Sequence, residues 1–164
     1  MLQRLLRTTD DLTLTLMRLV LAFCIFPHGA QKLLGWFGGH GLGPAIEIFA
    51  KVYHIPPALT VIAVCIEFFG SIALVLGLLG RLSALGVAIT MTVAAYQTYL
   101  HFGNFFMNWF GMQKGEGIEY HLLAIVIALA IAIRGSGAFS LDRLLSAKAV
   151  VEPGLQYKTK AQNA

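Results

Sequence analysis

His28 and Lys32 stand four residues apart at the end of the first long apolar run, in the stretch FPHGAQKLLGWFGGHG, residues 26–41. On a helix that spacing puts both on one face. An amine beside an imidazole is suited to bonding the oxygens of a carboxylate, a sulfur oxyanion or a quinone headgroup. Two further runs bring polar groups toward the same level. On the third, Thr90, Ala94, Gln97 and His101 form one stripe, and the fourth opens with EGIEYHLL, carrying Glu116, Glu119, Tyr120 and His121. Glu119 and His121 differ by about 200° around a helix, so only one of them can face inward. Glu119 is expected inward, paired with Lys32 or His28 and able to accept protons, while Trp36 or Phe37 can cover a ring. The candidate ligand-contacting set is therefore His28, Lys32, Trp36, Gln97, His101 and Glu119. Snorkelling of Lys32 to an interface is the competing reading.

Two charges lie deeper. Arg18 sits about six residues into the first run, roughly 9 Å along a helix, and Glu67 about twelve residues from the far end of the second, roughly 18 Å. Buried charges usually find partners, so an Arg18–Glu67 ion pair bracing two helices is expected. Ala63, Gly70, Ser71 and Gly77 accompany Glu67 and permit close helix contact.

Other chemistries fit poorly. His28, His101, His121 and a glutamate are metal-ligand types, but no HxxxH or Glu-x-x-His pairing occurs on one helix, and Lys32 would oppose a cation; no metal site is expected. The two cysteines, Cys24 and Cys65, fall near mid-run but point away from the faces of Arg18 and Glu67, as small packing residues would. CxxC, phosphate-loop, dinucleotide and nucleophile-elbow patterns are absent from the sequence, as are haem, flavin and iron–sulfur motifs.

The elements that must position these groups follow from composition. Of the 164 residues, 57% are hydrophobic and only 12% charged, about half the charge of a soluble domain, and mean hydropathy is +0.74. Four apolar stretches, about 12–34, 57–79, 82–103 and 118–135, approach the roughly 20 helical residues that a bilayer requires. The first is not read as a cleaved leader, because it contains Arg18 and lacks a small-residue cleavage site before His28. The expectation is an all-α polytopic membrane protein: an antiparallel four-helix bundle over 1–148, with a short surface helix at 140–147 and a polar tail at 149–164. Asp10 and Asp11 can cap the first helix, Pro27 can kink it, and Pro57 suits the start of the second. A short helix is expected over 45–53, and Gly80–Arg81 gives a tight turn. Phe105, Phe106, Trp109 and Phe110 suit the headgroup level.

The net charge of +4 is spread over loop ends, not gathered in one patch, which argues against nucleic acid. If the N-terminus is cytoplasmic, inner segments hold eight basic residues (Arg4, Arg7, Arg81, Arg134, Arg143, Lys148, Lys158 and Lys160) and outer ends three (Lys32, Lys51 and Lys114). Positive charge follows the cytoplasmic side, so both termini are expected there.

The segments RLVLAFCIFPHGAQKLLGWFGGHGL, IEFFGSIALVLGLLGRLSAL and GIEYHLLAIVIALAIAIRGSGAFSLDRLL, together covering residues 17–145 with the connections between them, resemble the DoxX family of small four-span membrane proteins. Arg18, His28, Gly29, Lys32, Glu67, Gly70, Arg81, Glu119, Ser140 and Asp142 fall on that family's recurring polar and glycine positions. His40, where the pattern has proline, and the Asn- and Phe-rich stretch 104–111 depart from it. The resemblance implies a bacterial inner-membrane protein linked to redox processes: a subunit of a quinone-reducing thiosulfate oxidoreductase or a quinol oxidase, or a partner of thiol and superoxide defence enzymes. It thus implies a quinone ligand; with no haem, flavin or iron–sulfur motif in the sequence, a partner subunit or homo-oligomer within the lipid bilayer is expected. The alternatives are a non-enzymatic scaffold for a soluble redox partner and a small-solute transporter.

Overall fold

In the computed structural model, which describes residues 2–103, 106–112 and 117–146, all regular structure among the described residues is helical. Short α1 (Leu2–Leu6) leads into α2 (Leu12–Leu34). Asp11 starts α2: its carboxylate accepts the N–H groups of Thr13 (2.8 Å) and Leu14 (3.3 Å), satisfying two of the orphan donors of the first turn. The helix continues through Pro27 and stops where Gly35 enters the left-handed region at φ 75°. The half-exposed α3 (Leu42–Lys51) is followed by α4 (Pro57–Leu76), which begins with Pro57 at its first position. α4 ends at Leu76, short of residue 79, because Gly77 turns left-handed. α5 (Gly80–Phe102) and α6 (Glu119–Arg134) complete the main helices.

α2 and α4 are long and apolar enough to cross a bilayer. α5 carries Arg81, Gln97 and His101, and α6 has only 16 residues, roughly 24 Å of helix. α2 packs on α4 and α6, and α5 on α6 and α4. The core between them is built from Leu21, Ala22, Ile25, Leu74, Val87, Ala88, Met91, Ala128 and Ile131. Large apolar side chains such as Phe23, Phe69, Ile89 and Val126 face outward, as expected where the surroundings are hydrocarbon and not water. Glu116, Lys114, Phe105, Ala147, Lys148 and the 149–164 tail lie outside the described residues.

One end of the bundle gathers α1, the α4–α5 turn and the segment after α6; it is called the terminal end here, and the opposite one the loop end. At the terminal end Ser140 caps residues 141–146, a helical stretch, by accepting the Arg143 N–H at 3.3 Å. Arg143 and Asp10 form a bidentate surface pair there, with Nη2 to Oδ2 at 2.6 Å.

Candidate functional site

Arg18 and Glu67 do not form the expected ion pair. A helical side chain leans toward its own N-terminus, so the Arg18 arm runs to the terminal end, away from Glu67. Arg18 is 1% exposed. It donates to the carbonyls of Leu74 (2.5 Å) and Val75 (2.6 Å) in the last turn of α4, and to those of Ser136 (2.9 Å) and Phe139 (2.7 Å) after α6. The guanidinium thereby satisfies carbonyls that a helix end leaves without partners, where the helix dipole is negative.

Asp142 is the complement. Its carboxylate accepts the N–H groups of Leu79 (2.7 Å) and Gly80 (2.9 Å) at the positive end of α5, and the Ser136 hydroxyl at 2.5 Å. Gly77 makes the approach possible: a Cβ there would meet Ser140 Cβ at 2.4 Å and Arg18 Cζ at 3.1 Å. Arg81 repeats the device at the end of α6, donating to the carbonyls of Ala132 (2.9 Å) and Ile133 and to that of Arg7 (3.0 Å). This knot of charges is bonded to backbone almost throughout, so its chemistry is holding helices together.

The partner of Glu67 is Lys32, with Nζ 2.6 Å from Oε2. Three local features bring them together. α4 widens into a π-turn at Ile66–Gly70, which contains Glu67; such turns recur at functional sites. Gly29 lets α2 press against that turn, since a Cβ there would lie 2.5 Å from the Phe68 nitrogen. Lys32, one turn further along α2, leans back toward its helix N-terminus, and Glu67 on the antiparallel α4 leans toward the loop end, so the two arms converge. Ser71 Oγ donates to the Glu67 carbonyl at 2.5 Å, and Phe26 and Phe68 lie beside the contact with ring centroids 5.3 Å apart. The Glu67 side chain is 6% exposed and that of Lys32 is 24% exposed. The pair is therefore buried at its acidic end and open at its basic end. An ammonium has three donors, and Glu67 accepts one of them.

The other sequence-derived candidates are spread more widely than the helical stripes suggested. His28 is exposed on α2, its ring 6.0 Å from that of Tyr120 in the first turn of α6. Glu119 is half-buried in that turn, and its N–H donates to the Phe106 carbonyl at 3.1 Å; the carboxylate that Lys32 engages is that of Glu67 instead. His101 turns toward α3, with Nε2 2.8 Å from the Val52 carbonyl oxygen and Nδ1 3.0 Å from that of Gln97. Gln97 is half-buried, and its Oε1 has no partner among the described residues. Trp36, more than half exposed, stands edge-on to Phe37 in the loop after α2. Cys24 and Cys65 are free thiols, and no cluster of metal-ligating side chains occurs among the described residues.

Sequence reasoning missed the Lys32–Glu67 pair and the carbonyl-capping role of Arg18. The direction in which helical side chains lean was the available signal. The π-turn had none.

Long apolar helices with charges paired inside them define a helical membrane protein. A scan against protein-family models matches DoxX over residues 13–101, more than half of the chain. The chain belongs to the DoxX family. Searches of the curated proteins and of the solved structures find no match.

Proposed function

We propose that this protein is the membrane component of a redox system and binds the headgroup of a quinone at Lys32. In this reading α2, α4, α5 and α6 all span a bacterial inner membrane. The terminal end faces the cytoplasm, as the balance of basic residues supports, and the ligand enters from the outer leaflet.

The observation that carries the reading is the Lys32–Glu67 pair, 2.6 Å apart, with a buried carboxylate and a partly open amine. Ionisable groups within a span mark functional sites more often than not. Internal neutralisation also favours a neutral ligand over an anionic one. A small oxyanion would meet an amine whose charge Glu67 already balances, and would have to displace that carboxylate. A neutral carbonyl needs only one of the remaining ammonium donors. Reduction of a quinone to a quinol takes up two electrons and two protons; in this reading Glu67 and His28 relay the protons, and the electrons come from a partner subunit carrying a redox centre. A second reading, proton-coupled movement of a small solute, draws on the same buried carboxylate and predicts flux in liposomes without an electron acceptor.

Native mass spectrometry of the purified protein tests the leading reading. Quinone should be retained by the wild type and released by Lys32→Ala. Absence of any lipid-soluble redox ligand from both proteins would reject it.

A further inference from the structure

The stripe of α5 that ends in His101 meets the far end of α3 rather than the ion pair. Both ring nitrogens of His101 face carbonyl oxygens: Val52 at 2.8 Å and Gln97 at 3.0 Å. A carbonyl oxygen only accepts, so each contact is a hydrogen bond only while that nitrogen carries a proton. A neutral imidazole has a single N–H, whereas the imidazolium has two.

Val52 is the residue that closes α3, and Gln97 lies in the last turns of α5, so both carbonyls point from the negative ends of helices. The imidazole also stands edge-to-face with Tyr53, ring centroids 4.8 Å apart. α3 lies between two positive-φ positions, Gly41 at φ 85° and His54 at φ 54°, and packs on α4 and α2.

We propose that His101 is a proton-dependent latch on α3. With two ring protons it ties the end of α3 to α5 through both carbonyls; with one, it keeps either its own helix or α3, and the tie weakens. The titratable and charged groups among the described residues on the elements around it are these. On and just after α3 they are Glu47 and Lys51, which pair with each other at 3.1 Å, and Tyr53 and His54. On α5 they are Tyr96 and Tyr99, the first turn of α6, which packs on α5, carries Glu119, Tyr120 and His121, and the first turns of α4, from Pro57 to Val61, carry none. Histidine is the side-chain type whose ordinary titration falls between roughly pH 5 and pH 8, and His54 and His121 are the other histidines among these groups. The latch is independent of any quinone.

Pulsed electron paramagnetic resonance tests it in lipid nanodiscs, with spin labels at the exposed positions Ile48 on α3 and Tyr96 on α5. The wild-type background should give one narrow distance distribution near pH 5, and a second, longer population should grow as the pH is raised toward 8. His101→Gln, which offers one amide donor at any pH, should give the same distribution at both pH values, and His54→Gln should respond as wild type does. A wild-type distribution that does not change across this interval overturns the proposal. So does a pH response that persists in His101→Gln or disappears in His54→Gln.

Discussion

The two polar layers of this bundle use opposite kinds of partner. At the terminal end Arg18, Arg81 and Asp142 are bonded chiefly to backbone groups at helix ends. At the loop end Lys32 and Glu67 are bonded to each other, and Lys32 remains partly open. A charge that caps a helix cannot change partner without loosening that helix, whereas two side chains can separate while the backbone stays intact. The first arrangement suits permanent structure. The second leaves donors free for something else.

Substitutions should separate the layers. The largest effect is expected for Arg18→Met, which strips donors from several buried carbonyls. The loss should exceed about 4 kcal/mol, the exceptional range for one substitution, and should show as aggregation on size-exclusion chromatography. Arg18→Lys should rescue little, because one ammonium cannot reproduce the forked geometry. Asp142→Asn keeps an acceptor but loses the charge at the start of α5. It should cost about 1.5–3 kcal/mol, the worth of a hydrogen bond to a charged group, read as a lowered Tm in detergent.

Gly29→Ala sharpens the comparison, because it strikes the loop-end pair through packing alone. A Cβ 2.5 Å from the Phe68 nitrogen must push α2 off the π-turn, at a cost of about 1–3 kcal/mol, with ligand binding weakened alongside Tm. The smallest stability effect is expected for the double variant Lys32→Met/Glu67→Met. Replacing a buried pair by apolar groups of similar volume is often neutral or stabilising, so its Tm should match or exceed that of wild type. A large fall would mean that the loop-end pair is structural too, and the contrast between the layers would collapse.

Much of this contrast was only half legible in the sequence. Apolar run length places α2 and α4, and the Asp11 cap, the Pro57 start and the Ser140 cap follow from side chains that bond to nearby backbone. Arg18 and Glu67 were visible as buried charges needing partners, yet depth along a helix does not say which way an arm reaches. Side-chain lean sends Arg18 to the terminal end and Lys32 toward mid-bundle, exchanging the expected partners. The π-turn that carries Glu67 packs against Gly29, a contact that one strand of sequence does not display. His101 was assigned to the ligand site because it shares a stripe with Gln97, but the position of α3 decides what that stripe meets.

The central claim is that Lys32 serves a ligand while the terminal knot serves the fold. The most direct measurement is a quinone titration, with Tm recorded on the same samples, for Lys32→Met and Asp142→Asn. Lys32→Met should bind at least about tenfold more weakly, as expected when a hydrogen bond from a charged donor is lost, with little change in Tm. Asp142→Asn should melt earlier and bind as wild type does. Wild-type affinity in a folded Lys32→Met protein would contradict the account.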